Sequence, residues 1–303
     1  MNVDGLGSGD KLDALRGYVQ WFHIVFLVET RTRNVSELAR RLPGYDLHQV
    51  PARYQGRKGS GVVVCVQQAV ANYVTLKASH HEPDCIWLEV HGTVLGKSGS
   101  FFIGGVYIPP ELPAASHSGH QRGSEEVLEE FGIVHEEVRQ FRELGAEVMV
   151  LGDFNAHLPI HSNYVEMQGD ATRVCPALVS GRHRIEQVAE NEAGNWLEAV
   201  AGLNDCVLTT GCGKGDVGQS TCCGYTSEPR NSRPDHLFMT PTLYQATTRI
   251  GVQHEVAISD HRPLSLALMC MLTGVDLRTP AEQQTQSGEV RKMLRWRDEL
   301  QPA

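Results

Sequence analysis

Val148-Met149-Val150-Leu151-Gly152-Asp153-Phe154-Asn155-Ala156-His157 is an apolar run that stops on an acid and an amide. The uninterrupted Val148–Leu151 stretch describes a strand buried on both faces. It delivers Asp153 and Asn155 at its C-terminal end, where open α/β sheets bind ligands. Two residues apart on an extended segment, these side chains are expected on the same side.

Three further clusters repeat the arrangement: Asn2-Val3-Asp4 with Glu29-Thr30, Pro234-Asp235-His236, and Ser259-Asp260-His261-Arg262-Pro263. Carboxylates brought from several strand ends make a site for a hard cation, and a histidine beside them suits phosphoryl transfer. The pattern points to a metal-dependent phosphodiesterase.

Strands and helices alternate around these clusters. Asp10 is expected to cap a helix carrying Leu12, Leu15 and Val19 on one side. His23–Val28, Gly61–Val66, Cys85–Val90 and Phe101–Tyr107 read as strands. Ser124 is expected to cap the clearest helix, whose apolar stripe is Leu128, Phe131, Val134, Val138 and Phe141 and which ends at Gly145. Trp196–Leu203 reads as a helix, and Val207–Thr209, His236–Thr240 and Leu264–Met269 as strands. The glycines of Gly211–Gly218 lack the GK[ST] of a phosphate loop and read as a turn. Segments 111–123 and 156–193 are expected to be loops, and long loops in compact domains are functional or mobile.

The chain of 303 residues carries a net charge of −9, which disfavours tight non-specific DNA binding. A bound cation would offset part of this charge at the acidic site. Basic residues also gather locally at Arg53, Arg57 and Lys58, and at Arg291, Lys292, Arg295 and Arg297. No apolar run reaches membrane-spanning length and no signal peptide is read, so the expectation is an intracellular protein with no membrane partner, nuclear if it processes DNA. Eight scattered cysteines without a CxxC pair read as buried small hydrophobes in a reducing compartment rather than a zinc site. His80, His81, His117, His120, His161 and His183 are expected in surface loops.

Six stretches in order, Asn2-Val3-Asp4-Gly5-Leu6, Val28-Glu29-Thr30, Gly105-Val106-Tyr107-Ile108-Pro109, Gly152–Ala156, Ser232–Asp235 and Ser259–Pro263, resemble the endonuclease/exonuclease/phosphatase superfamily, near its exonuclease III and apurinic endonuclease branch. The resemblance implies an α/β (α+β) fold, a two-sheet β-sandwich flanked by helices in four layers, DNase I-like, over residues 1–273. Residues 274–303 read as a polar linker or tail. Gly152–His157 before a long loop, Tyr107-Ile108-Pro109-Pro110 and Met293-Leu294-Arg295-Trp296 also resemble endonuclease domains of LINE-type retrotransposons, which implies a reverse transcriptase partner in a parent element.

The resemblance implies a role for each site residue. Glu29 is the leading ligand for Mg²⁺ (or Mn²⁺), with Asp4 and Asp260 as additional carboxylates and Asn2 supporting the phosphate and metal shell. Asp153 orients or deprotonates the attacking water, and Asn155 hydrogen-bonds the phosphate. His261 contacts the phosphate with Asp235 as its carboxylate partner, and Tyr107 contacts it through its hydroxyl. Blander readings stand beside these: a salt bridge for Glu29, an Asp-Gly turn for Asp4, and a turn holding its own backbone for Asp153 and Asn155.

Three departures from the family pattern stand out. The strand that leads into Asn2 is absent from this sequence, so lowered stability or a start placed too late is expected. Pro110 stands where some apurinic endonucleases carry a polar phosphate-contacting residue. His236 stands where a tyrosine is common. The expected function is a DNA endonuclease leaving a 3′-hydroxyl. The alternatives are a phosphatase on a small phosphoester and a catalytically idle retroelement remnant.

Overall fold

The computed structural model describes residues 1–7, 9–53, 60–111, 123–158, 189–212, 214–216, 218–223, 231–256 and 258–272. Most of the two expected loops lies outside the described residues. So do Arg57, Lys58, Cys175, His117, His120, His161, His183 and the tail from residue 273 onward.

Six strands form one sheet in the order β4 (Val74–His81), β5 (Asp84–Val90), β6 (Phe101–Tyr107), β7 (Glu147–Asp153), β11 (Asp235–Met239) and β8 (Val207–Leu208). The β6–β7 pair is parallel and the other neighbours are antiparallel. A second sheet has the order β1 (Ile24–Val28), β3 (Val62–Gln67), β2 (Tyr45–Val50). Residues 1–3 run beside β1, with the Val3 N–H donating to Val28 O at 3.0 Å and the Val28 N–H to Met1 O at 2.9 Å. Two ribbons, β9 (Cys222–Cys223) with β10 (Asn231–Ser232) and β12 (Thr247–Val252) with β13 (Leu264–Leu268), complete the strands among the described residues.

Period-two alternation divides each strand between two cores. Ile86, Leu88, Ile103, Met149 and Leu237 face Phe26, Val28, Val62 and Val64 across the sandwich. The other face of the large sheet offers Trp87, Phe102, Val106 and Val150 to α4 (Ser124–Glu143) and α5 (Glu192–Leu203). The outer face of the small sheet packs Val25, Leu27, Val63 and Cys65 on α1 (Gly9–Val19) and α2 (Ser36–Arg41), while the short helices α3 (Gln68–Ala71) and α6 (Pro241–Ala246) follow β3 and β11. The result is the four-layer helix–sheet–sheet–helix sandwich expected from the sequence.

Two glycines in β6 admit the large rings. A Cβ on Gly104 would lie 2.7 Å from the Trp87 ring, and one on Gly105 would lie 1.9 Å from Phe26 Cδ1. Burying a ring of that size contributes about 1.5–3 kcal/mol.

Several local expectations need correction. Gly123, not Ser124, occupies the N-cap of α4, and no side chain caps it. Val127 takes the buried place assigned to Leu128, which is exposed; one residue around a helix is a 100° rotation. Helix α5 begins at Glu192, capped by Asn191, whose side-chain oxygen accepts from the Gly194 N–H at 2.9 Å. His80 and His81 lie on β4 rather than in a loop, and His80 Nε2 pairs with Glu137 at 2.7 Å. Four cysteines, Cys65, Cys85, Cys206 and Cys212, are buried as expected, whereas Cys222 and Cys223 are half-buried and Cys270 is exposed. No helix among the described residues is long and apolar enough to cross a membrane.

Register positions the site. Asp84 pairs with Tyr107 across β5–β6, Tyr107 with Asp153 across β6–β7, and Asp153 with Asp235 across β7–β11. Directly paired residues point to the same face. Four polar side chains therefore stand in one row at the sandwich end of the large sheet.

Candidate active site

The row is met by residues from the small sheet. Asn2 Nδ2 donates to Glu29 Oε2 at 2.6 Å and to Asp153 Oδ2 at 2.8 Å. One buried amide thus ties the end of β1 to the end of β7. Asn2 Oδ1 accepts the Asp4 N–H at 2.8 Å, so both ends of the amide are engaged.

His261 enters from the segment before β13. Its Nδ1 lies 2.7 Å from Asp235 Oδ2, and its Nε2 lies 4.0 Å from Asp153 Oδ2. The segment is sewn in place at both ends. The Ser259 hydroxyl donates to Asn2 O at 2.8 Å and accepts the His261 N–H at 3.0 Å. The Arg262 N–H donates to Thr221 O at 2.6 Å, and the Cys223 N–H to Asp260 O at 3.0 Å. The Cys222 sulfur lies within 4.8 Å of a His261 ring nitrogen, and the Asp235 N–H donates to Thr221 Oγ1 at 3.3 Å.

Electrostatics separates the buried acids into distinct states. Burial and the neighbouring Asp235 charge push Asp153 up to about 6, against the opposing pull of His261 and Asn2. Burial also disfavours charge on Asp235, but His261 overrides it and holds Asp235 below the usual carboxylate range. Burial likewise opposes charge on His261, and Asp235 overrides it and holds the imidazolium well above its ordinary value. Tyr107 is pushed well up by burial and by the Glu29 and Asp153 carboxylates, so it stays a phenol.

The structure brings together Asn2, Glu29, Asp153, Asp235, His261 and Tyr107. Asp4 joins them through Arg31, whose Nη2 lies 2.6 Å from Asp4 Oδ1 and also pairs with Glu29 Oε1. Asp260 sits at the rim, half-buried, with a carboxylate oxygen within 4.8 Å of ligand atoms on Cys222 and His261. Asp260, Asp4 and Glu29 all act electrostatically on Lys11.

Asn155 departs from expectation. Its φ of 47° turns it out of the extended path, so it does not project beside Asp153. Its N–H instead donates to Asp153 Oδ1 at 3.0 Å, and its Nδ2 donates to Ile108 O at 2.9 Å. The turn that holds its own backbone is the observed geometry. His236 is fully buried between Thr210 Oγ1 and Ala156 O, each at 2.8 Å.

Backbone strain concentrates here. Among the described residues six non-glycines have a left-handed φ, and four of them are Asp4 (45°), Glu29 (55°), Arg31 (52°) and Asn155 (47°). Such conformations persist where the surroundings over-determine them, typically at functional sites.

The donor chemistry fits a hard divalent cation. Asp153, Asp235 and His261 approach one another closely enough to share an ion, but there the imidazolium already neutralises the carboxylates. Glu29 and Asp4 offer oxygens alone, as Mg²⁺ prefers, and a guanidinium nitrogen already stands in as the cation between them.

Sequence reading missed Arg31, Thr221, Cys222 and Ser259. Ser259 lay inside a motif already noted. Arg31 adjoins Glu29-Thr30, but only the fold shows it reaching both acids.

Comparison with known proteins bears on the family and the fold. A family model described as the Endonuclease/Exonuclease/phosphatase family matches residues 1–261. No curated protein matches the sequence closely enough to count as a relative. The fold is similar to the Xenopus laevis APE2 catalytic domain (TM-score 0.61, 14% identity, 92% of this chain and 93% of that one). It is also similar to a 3′-5′ exonuclease from Neisseria meningitidis (TM-score 0.59, 16% identity, 88% and 97%). A third similar structure is the endonuclease domain of TRAS1, a telomere-specific non-LTR retrotransposon (TM-score 0.54, 14% identity, 88% and 95%). At these identities the likeness concerns the fold alone.

Proposed function

The chain belongs to the endonuclease/exonuclease/phosphatase family, and from that premise we propose that it is a divalent-metal-dependent DNA endonuclease leaving a 3′-hydroxyl. One observation carries the reading: Glu29, Asn2, Asp153, His261 and Asp235 are linked consecutively by contacts of 2.6, 2.8, 4.0 and 2.7 Å. That continuity joins an oxygen-rich cation site to a candidate base and a buried imidazolium.

Glu29, Asp4 and Asp260 are the proposed holders of Mg²⁺ or Mn²⁺, which when bound supplies charge neutralisation and Lewis acidity at the phosphate. Asn2 positions Glu29 and Asp153 rather than serving as a ligand, because its Nδ2 faces both acids. Asp153, at about 6, is matched to accept a proton from water near neutral pH. His261, kept cationic by Asp235, donates through Nε2 to a non-bridging phosphate oxygen. Tyr107 donates its phenolic proton to another. An amide carries two N–H groups, so the one Asn155 does not spend on Ile108 is the donor required of it. On this reading DNA is the substrate, and a reverse transcriptase is the partner where the chain forms part of a retroelement.

Supercoiled plasmid with Mg²⁺, with and without EDTA, tests the proposal beside Asp153→Ala. Nicking that needs metal and is lost in the variant is the expected result. Phosphate release from a small ester without nicking would replace the endonuclease with a phosphatase. A folded protein inactive on both substrates would leave an idle module.

A further inference from the structure

Arg31 has no place in the chemistry described so far, yet it reaches the heart of the candidate cation site. Its Nη2 touches Glu29 Oε1 and lies 2.6 Å from Asp4 Oδ1, while its Nε donates to the same Glu29 oxygen at 3.1 Å. A single nitrogen shared by two carboxylates is the arrangement of a bridging cation. Lys11 adds a second positive charge, with Nζ donating to Asp4 O at 3.1 Å.

This placement is built into the backbone. Arg31 itself has φ 52°, and its N–H donates to Ser60 O at 3.0 Å. Gly5 has φ 81°, and a Cβ there would lie 3.4 Å from Arg31 Cδ, so a glycine lets the stem pass across the turn. The Arg31 side chain is only 26% exposed and Glu29 only 13%, which limits solvent screening of their contact.

We infer that Arg31 is an internal counter-ion that holds Glu29 and Asp4 together before a divalent cation arrives and must be displaced for that cation to bind. This inference rests on the metal-dependent reading of the site and assigns to it a built-in control of metal affinity. A divalent cation and a guanidinium cannot both occupy the space between two carboxylates that one nitrogen already fills. Metal affinity is therefore set by a competition within the protein. Removing the competitor tightens metal binding and loosens the metal-free protein, two changes that a merely structural ion pair does not produce together.

The test is calorimetric titration of Mn²⁺ into wild type, Arg31→Met, Arg31→Lys and Glu29→Gln, with thermal unfolding of each in EDTA and in Mn²⁺. Partly exposed ion pairs are individually weak, so Arg31→Met is expected to lower the Mn²⁺ Kd by about tenfold. It is also expected to unfold earlier in EDTA and to gain more from Mn²⁺ than wild type does. Arg31→Lys, which keeps the charge but loses the planar fork, should fall between. Glu29→Gln should lose most Mn²⁺ binding. Wild type and Arg31→Met binding Mn²⁺ equally well, or the variant binding it more weakly, would overturn the inference and leave the metal site standing. Wild type taking up no Mn²⁺ would overturn the metal site and the inference together.

Discussion

Replacing Asp153 by asparagine should stabilise the protein while abolishing its activity, and the size of the gain follows from burial. The carboxyl is 1% exposed and its pKa stands at about 6 against an ordinary 3.8. Its folded-state pKa is raised, so the stability it contributes is full below the unfolded value and is lost as pH rises through about 6. At pH 8 a shift from 3.8 to about 6 corresponds to about 3 kcal/mol against folding, and at pH 5 to roughly half of that. Asparagine removes that charge but gives up an acceptor. Asp153 Oδ1 takes the Asn155 N–H and Oδ2 the Asn2 Nδ2, and an amide oxygen serves only one of them. The lost hydrogen bond costs about 1 kcal/mol. The net gain at pH 8 is about 2 kcal/mol, or roughly 4 °C in Tm for a chain of this size. At pH 5 the gain should shrink towards zero. Calorimetric unfolding of both proteins in EDTA at the two pH values measures this, and plasmid nicking in Mg²⁺ measures the loss of activity. A variant less stable than wild type at pH 8, or an advantage that does not shrink at pH 5, would refute the account of a buried, strained charge.

Three other substitutions probe different parts of the molecule. His261→Gln should lower the nicking rate by about 10² or more while leaving Mn²⁺ affinity within a few-fold, and near-native turnover would remove His261 from the chemistry. Gly105→Ala places a Cβ 1.9 Å from Phe26 Cδ1 and should destabilise by about 1–3 kcal/mol in urea, whereas an unchanged midpoint would mean that the sandwich core has room to give. Asp216→Ala leaves the Arg233 guanidinium buried without the carboxylate now at 2.5 and 2.7 Å, and should cost about 3–5 kcal/mol; a loss under about 1 kcal/mol would show that the pair is replaceable.

Much of this fold is legible in the sequence because its central strands are buried. β1, β3, β5, β6 and β7 are apolar runs with sharp ends, and the ends of β1, β6 and β7 carry Glu29, Tyr107 and Asp153. Strands β2, β4 and β12 and the two-residue β9 and β10 carry no such run. Tyr45–Val50 and Val74–His81 are partly exposed, with Lys77, His80 and His81 interrupting any apolar pattern. Exposed edges obey weaker constraints than buried centres. The N-cap of α4 is a glycine without a side-chain bond, so the start of that helix carries no capping signal, and Val127 and Leu128 are adjacent apolar residues of which only Val127 is buried. Within the site, Glu29, Asp153, Asp235 and His261 were visible as residues near strand ends. Their connections were not visible. Asn2 bridging two acids, Ser259 tying residue 2 to residue 261, and the left-handed turn at Asn155 are products of tertiary placement and leave no spacing signature.

The row Asp84–Tyr107–Asp153–Asp235 is spaced by the hydrogen-bond ladder of the large sheet, not by loops. Segments joining the strands are thus free to lengthen, shorten or change character in descendants of this chain without moving one polar group relative to the next. Glu29, Asp4, Asp260 and His261 lie outside that ladder and gain no such protection. The ladder also makes the two central acids inseparable: the pairing that docks β11 on β7 is the same one that sets Asp235 beside Asp153.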